Sequence, residues 1–255
     1  MKMLFTHEEY QNEVKRWQNR LVVNCPICKG VGSVDKPGTT KATMCKCQEN
    51  SIKNARLVAS GVPRKYLDES WNWDELNNNE ESKQKVKKYV ENFQQNYFAG
   101  KGLYIYGRQG RGKSLMESLV AREVSALMNP DRGSNYKITF IIFEDLVKMS
   151  HEARSDISVS KKLNMIIEGS DLLIIDNVGS ETGTQAYNTK FLELVLRKRD
   201  NSCVPTIISS NYTPEQIQQN YSDTIHDFIL QNSELVFVQG ENFRQKNQVI
   251  DEDIY

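Results

Sequence analysis

The stretch that decides the fold of this 255-residue chain is Gly107-Arg108-Gln109-Gly110-Arg111-Gly112-Lys113-Ser114. It matches G-x-x-x-x-G-K-S, the phosphate-binding loop of nucleoside triphosphatases, which joins a strand to a helix. The β-favouring run 103–106 precedes it, and residues 114–127 place apolar side chains at near-helical spacing behind it. Because strand, loop and helix stand in the required order, the pattern predicts a nucleotide site rather than a chance glycine-rich turn.

The residue types of this loop explain the chemistry. Glycines let consecutive backbone N–H groups turn toward a polyphosphate, which also lies at the positive end of a helix. Lys113 is expected to reach the outer phosphates, and the Ser114 hydroxyl is expected to bind Mg²⁺. The residues predicted to hold ATP or ADP are Gly107, Gly110, Arg111, Gly112, Lys113, Ser114 and Leu115.

A second part of the sequence, which ends in an acidic residue, completes the predicted magnesium site. Residues 171–176 form an apolar run that ends in Asp176, as a buried parallel strand does. Ligands of open α/β folds bind at the carboxyl edge of the sheet, where this carboxylate is expected to lie. The alternative is a surface acid after a core strand, but the upstream phosphate loop favours magnesium binding by Ser114 and Asp176.

Two cysteine pairs lie near the N-terminus: Cys25 and Cys28, then Cys45 and Cys47. Tetrahedral Zn²⁺ takes four thiolates, and two tight turns deliver them in pairs. The short polar segment around them has no core of its own, which favours a structural zinc site over two pairs of buried thiols. Cys203 follows far downstream in an apolar run and is expected to be a small core residue.

Composition sets the remaining limits. The formal net charge is zero, so any binding of nucleic acid has to come from a local patch. No apolar run has the length of a membrane span and no secretory signal is evident, so we expect a cytoplasmic protein without a membrane partner. We expect two domains, a helical zinc-binding module over 1–60 and an α/β P-loop ATPase domain over 61–255. A long helix is predicted over 82–98.

Several stretches together resemble a known family, the AAA+ replicative helicase loaders of the DnaC/DnaI type and the related IstB-type transposition ATPases. The resemblance begins at Ser60-Gly61-Val62-Pro63 and covers about three quarters of the chain. Residues 173–181 resemble the Walker B stretch of that family, and Asn211 falls on its sensor 1. Arg199 resembles the arginine ahead of the sensor-1 strand, and Arg244, in Gly240-Glu241-Asn242-Phe243-Arg244, resembles sensor 2.

The resemblance implies a parallel sheet between helices and an ATP-regulated delivery of a hexameric helicase onto single-stranded DNA. It implies an N-terminal zinc module that touches the helicase, and self-association through AAA+ interfaces. Lys161 and Lys162 are the expected contacts to single-stranded DNA. The catalytic residues it implies are Lys113, Asp176, Asn177, Asn211 and Arg244.

Two departures from the family pattern concern hydrolysis. Asn177 stands where the family has an acid that activates water, and an amide cannot take a proton. No arginine occurs in 225–228, where the family places its arginine finger. Glu181 is a candidate to compensate for the first change, and Arg197 or Arg199 for the second. We therefore expect ATP binding with slow or absent hydrolysis.

Three functions fit these residues. The first is a helicase loader, the second a non-catalytic adaptor or inhibitor of a helicase or initiator, and the third a transposition helper ATPase. The cysteine module argues mildly against the third.

Overall fold

The computed structural model of the protein describes residues 5–35, 38, 41–72 and 79–240. The chain divides into two compact units, Met1–Leu67 and Asp68–Tyr255. The predicted boundary between residues 60 and 61 falls a few residues earlier, and as a boundary between functional domains it stays a prediction.

Two helices and a short hairpin build the first unit. Helix α1 (His7–Leu21) is followed by an antiparallel pair of strands, β1 (Ser33–Asp35) and β2 (Ala42–Met44). Helix α2 (Lys46–Ala59) packs against α1, and a 3-10 turn (Arg64–Tyr66) comes near the end of the unit.

One carboxylate ties the first unit together. Glu13 is buried, and its Oε1 accepts a hydrogen bond from Trp17 Nε1 at 2.9 Å. Arg64 grips the same carboxylate with two nitrogens, at 3.2 Å from Nε and 2.5 Å from Nη2. A charge with this many partners is satisfied in spite of its burial. The contact joins α1 to the end of the unit.

The second unit is a five-stranded parallel sheet with helices around it. The strands are β3 (Gly102–Tyr106), β6 (Ile138–Ile142), β7 (Leu172–Val178), β8 (Thr206–Ser210) and β9 (Ser233–Phe237). Their order in the sheet is β6-β7-β8-β3-β9, and every pair is parallel. The predicted parallel α/β fold is therefore confirmed.

This strand order fixes where a ligand binds. From β3 the chain crosses to the far edge at β6 and returns strand by strand to β8, which lies beside β3. Open α/β sheets bind their ligands at such a switch point, beyond the carboxyl ends of the strands. The ends of β3, β7 and β8 therefore form one edge.

In the described part of the second unit, the remaining elements are seven helices of the sandwich, the short helix α4 and a small hairpin. The hairpin pairs β4 (Met128–Asn129) with β5 (Ser134–Asn135). The helices are α3 (Glu80–Glu91), α4 (Phe93–Phe98), α5 (Lys113–Val124), α6 (Phe143–Glu152), α7 (Ile157–Ile167), α8 (Gln185–Asn201), α9 (Pro214–Asn220) and α10 (Asp223–Asn232).

Two local predictions are wrong. The helix predicted over 82–98 is two helices, because the backbone of Asn92 (φ −99°, ψ 18°) leaves the helical region between α3 and α4. Cys203 is exposed rather than a core residue, since it lies in the turn before β8 with a φ of +50°.

Arg199 is fully buried at the amino edge of the sheet. Its guanidinium donates to Thr206 Oγ1 at 2.7 Å and to the Pro205 carbonyl at 2.5 Å. It also donates to the carbonyls of Ile167, at 2.7 Å, and Ser170, at 3.1 Å. A side chain with these partners cannot reach another subunit, so the proposal of Arg199 as an arginine finger is wrong.

Replacing Arg199 with leucine should therefore lower the free energy of unfolding by at least about 3 kcal/mol, because several buried acceptors lose their donor at once. Arg197→Leu, at an exposed site on the same helix, should change it by less than about 0.5 kcal/mol. Urea denaturation measures both. Equal effects of the two substitutions would contradict the structural role of Arg199.

Candidate nucleotide site and cysteine cluster

The phosphate loop lies between β3 and α5, as predicted. Gly107 has a φ of +145°, and a Cβ atom there would lie 2.2 Å from the carbonyl oxygen of Val238. Gly112 caps α5 with a φ of +92°, a left-handed conformation that favours glycine. The loop thus leads directly into the N-terminus of a helix, where backbone N–H groups and the helix dipole attract phosphate.

Lys113 lies inside this loop. Its Nζ donates to the Gly107 carbonyl at 2.7 Å, to the Arg108 carbonyl at 3.1 Å and to Asn211 Oδ1 at 2.8 Å. The structure therefore brings the predicted phosphate lysine together with the predicted sensor-1 amide.

Ser114 and Asp176 meet across the sheet edge. The Ser114 hydroxyl lies 3.1 Å from Oδ1 and 3.0 Å from Oδ2 of Asp176, as the two predicted magnesium ligands require. A hydroxyl and a carboxylate beside a phosphate loop are the hard oxygen donors that Mg²⁺ prefers. These residues fit the ion.

Asn177 has an unusual backbone. Its φ is +65°, its N–H donates to Ser209 Oγ at 3.1 Å, and its Oδ1 accepts from the Ser180 hydroxyl at 3.1 Å. Glu181, the alternative base, accepts from the Gly179 N–H at 2.8 Å and from the Tyr221 hydroxyl. Both carboxylate oxygens of Glu181 thus have partners within its own part of the fold.

The other predicted nucleotide residues contribute through the backbone or the loop surface. The Leu115 side chain is fully buried in the core, so only its backbone is left to face a ligand. Gly110 and Arg111 are half-buried, and Arg111 Nε has no hydrogen-bond partner among the described residues. Arg244 lies outside the described residues.

Nothing in the local sequence pattern marks Glu117, yet it lies one turn along α5 from Ser114. It is fully buried, and neither carboxylate oxygen has a described partner at ordinary hydrogen-bond geometry, although the side chains of Asp176 and Ser209 are close enough to shift its pKa. Burial, and after it the negative charge of Asp176, raises the pKa of Glu117 well above its usual value.

This pKa shift predicts a pH-dependent effect of Glu117→Gln. With the pKa raised in the folded protein, the stability that Glu117 contributes is fully present below the pKa of the unfolded chain, about 4.3. It is lost as the pH rises toward the folded pKa, because only the unfolded chain releases the proton. The glutamine cannot ionise.

The Glu117→Gln variant should therefore become more stable relative to the wild type as the pH rises from 5 to 8. The difference in melting temperature measures this gain, with a shift of about 2–4 °C for each kcal/mol. Glu123→Gln, on the same helix but half-exposed, is the matched control and should show no such trend. A difference that stays constant with pH would rule out the buried acid as its cause.

The four N-terminal cysteines converge in the first unit. Their Sγ atoms all lie within 4.8 Å of one another, with 3.9 Å between Cys25 and Cys45 and 3.4 Å between Cys28 and Cys47. Thiolates at about 2.3 Å from a tetrahedral zinc ion are about 3.8 Å apart. The donor set and its spacing therefore fit Zn²⁺.

Backbone groups around the cluster favour thiolates. N–H groups of Cys28 and then Ile27 lower the pKa of Cys25 to about 6. The Gly32 N–H also donates to Cys28 Sγ at 3.2 Å. Burial raises the pKa of Cys47 instead. A cation at the centre would offset that cost, since metal binding couples to loss of the thiol proton.

The sheet and the phosphate site together define a P-loop protein with the AAA+ fold. The chain belongs to the family described as IstB-like ATP binding protein, which matches residues 75–250. Of the helices in the described ranges, none combines the length and the hydrophobicity that a bilayer crossing requires.

Among curated proteins, the chain is similar to the replicative helicase loader DnaI of Bacillus subtilis (strain 168), with 28% identity over 123 residues. This alignment covers 48% of the present chain and 37% of DnaI, so the chain spans little more than a third of that relative.

Two solved structures share the fold. A crystal structure of the DnaC helicase loader matches with a TM-score of 0.56 and 19% identity, over 69% of this chain and all of that one. The replication initiator DnaA bound to AMPPCP and single-stranded DNA matches with a TM-score of 0.54 and 19% identity, over 75% of this chain and 56% of that one.

Proposed function

We propose that this protein is an ATP-regulated loader that delivers a hexameric replicative helicase onto single-stranded DNA. The observation that supports it most is the 3.0 Å contact between Ser114 and Asp176 beside a phosphate loop, in a chain with sequence similarity to a helicase loader. The cytoplasm, where replication proteins act, is the proposed location.

In this proposal, backbone N–H groups of Gly107, Gly110, Arg111, Gly112 and Leu115 hold the phosphates of ATP or ADP. Lys113 exchanges its carbonyl partners for phosphate oxygens, and Asn211 faces the outer phosphate. Ser114 and Asp176 hold Mg²⁺, which neutralises phosphate charge when bound. Arg244 is the proposed second sensor.

Slow hydrolysis is part of the proposal. The amide of Asn177 can orient a water molecule but cannot accept its proton, and Glu181 would have to release Tyr221 to do so. Helix α10 carries no arginine, and Arg199 is buried, which leaves the exposed Arg197 as the candidate to act across a subunit boundary. Nucleotide occupancy would then control shape and assembly more than turnover.

Partner binding is divided between the two units. The zinc module around Cys25 is proposed to hold the helicase. Lys161 and Lys162, both exposed on α7, are proposed to contact single-stranded DNA. The AAA+ domain is proposed to self-associate.

The decisive experiment mixes the full-length protein with its cognate helicase and measures DNA unwinding with ATP present. A loader increases unwinding, whereas an adaptor or inhibitor, the second candidate, decreases it. No effect on unwinding would contradict both roles at the helicase and favour an adaptor of an initiator or a transposition helper. Steady-state ATPase rates with and without single-stranded DNA test the slow hydrolysis: clear turnover that Asp176→Ala abolishes and Asn177→Ala leaves unchanged would refute it.

A further inference from the structure

The hydrogen-bond ladder between β7 and β8 is interrupted beside the proposed magnesium site. Ile175 pairs with Ile208, and the next pair is Val178 with Ser210, so two residues of β7 lie opposite one of β8. This two-against-one arrangement is a β-bulge. The two residues are Asp176 and Asn177, and the one opposite them is Ser209.

Two serine hydroxyls make hydrogen bonds at the place where the backbone ladder is interrupted. Ser209 Oγ donates to Asp176 Oδ1 at 2.7 Å and accepts the Asn177 N–H at 3.1 Å. Ser210 Oγ donates to the Val178 carbonyl at 2.7 Å and accepts the Tyr212 N–H at 3.0 Å. Both serines are fully buried. Only the first of them touches the carboxylate.

We propose that Ser209 is a positioning residue of the magnesium site, whose one hydroxyl orients the Asp176 carboxylate and holds Asn177 in its left-handed conformation. Ser209 has no need to touch nucleotide or metal to do so. The proposal rests on the proposed function, since it assigns a role within the same Mg²⁺·ATP site.

The hydrogen bonds to the Asp176 carboxylate determine its orientation. Among the described residues, the hydroxyls of Ser114 and Ser209 donate hydrogen bonds to this carboxylate, and the Glu117 carboxyl group lies near it. A Ser114 oxygen that binds a cation could still donate its proton to Asp176, so the Ser209 bond at 2.7 Å is a second, independent constraint on Oδ1. Groups that orient a metal ligand in this way typically change metal affinity about 10–100-fold when they are removed.

The same hydroxyl explains the position of Asn177. An asparagine tolerates a left-handed backbone better than most residues, but its half-buried backbone N–H still needs an acceptor. Ser209 supplies that acceptor where no backbone carbonyl of β8 pairs. The orientation of the carboxylate and the path of the chain after it are thus set by one side chain.

The test uses full-length protein, a fluorescent ATP analogue, and titration with Mg²⁺ or with EDTA. Ser209→Ala should raise the apparent dissociation constant for Mg²⁺ about 10-fold. It should leave the affinity for the ATP analogue in EDTA unchanged. Ser209→Thr, which keeps the hydroxyl, should restore most of the Mg²⁺ dependence. Ser210→Ala is the matched control, because its neighbouring hydroxyl does not contact Asp176, and it should leave the Mg²⁺ constant unchanged.

If Ser209→Ala does not fold, Ser209→Cys offers a similar volume and only a weak donor, and it should show the same loss. Wild-type Mg²⁺ dependence in Ser209→Ala, or an equal loss in Ser210→Ala, would overturn the role of Ser209 and leave the proposed function intact. Failure of the wild-type protein to bind the analogue at all would overturn both.

Discussion

Replacing Lys113 with alanine will weaken ATP binding about 100-fold. The Nζ atom lies within hydrogen-bond distance of the Gly107 carbonyl and of Asn211. Lys113 begins helix α5, whose N-terminus attracts phosphate. A hydrogen bond between charged groups contributes about 1.5–3 kcal/mol, and each 1.4 kcal/mol is a tenfold change in affinity. Titration of a fluorescent ATP analogue measures the loss.

Lys88→Ala is the matched control. Lys88 is an exposed lysine on α3, so its replacement removes the same charge at a different place. The dissociation constant of this variant for the ATP analogue should equal that of the wild type within about twofold, as expected for a distant surface charge. Equal affinities of Lys113→Ala and the wild type would contradict the assignment of the loop as the nucleotide site.

Loss of zinc will unfold the first unit. We expect one zinc ion per chain, and a chelator that removes it should abolish the helicity of α1 and α2, as measured by circular dichroism. Structural zinc contributes about 10–16 kcal/mol in small zinc-binding peptides, which is as large as the whole stability of a typical domain, about 5–15 kcal/mol.

The position of the cysteines supports this size of effect. Cys45 is the N-cap residue of α2, Cys47 lies in its first turn, and Cys25 follows the end of α1 closely. Cys45→Ser should therefore behave like the chelated protein. Cys203→Ser, at an exposed position outside the cluster, should keep its zinc and its spectrum. A protein without zinc but with full helicity would disprove a structural metal site.

The parts of the structure that the sequence predicted correctly are those with a local cause. The phosphate loop requires glycines at fixed positions, and the buried strand β7 requires a continuous apolar run, so both are recorded in neighbouring residues. The convergence of Ser114 and Asp176 also followed, because parallel strands bring their carboxyl ends to one edge.

The error on Arg199 and the two missed residues, Ser209 and Glu117, have a non-local cause. Arg199 is a cation, and cations are almost always exposed unless they are paired. Its burial became possible because four acceptors from separate segments surround it. The role of Ser209 depends on a bulge in the neighbouring strand, and that of Glu117 on the packing of α5 under Asp176. Neither has a signature in the residues beside it.

The contact between the phosphate loop and the end of β9 has a practical consequence. The Val238 N–H donates to the Tyr106 carbonyl at 2.7 Å, and the Val238 carbonyl leaves no room for a side chain at Gly107. The backbone just after β9 is thus held against the phosphate loop at Val238. A substitution that loosens the end of β9 should therefore disturb the phosphate loop as well, so any variant at that strand end needs its nucleotide affinity measured before its other effects are interpreted.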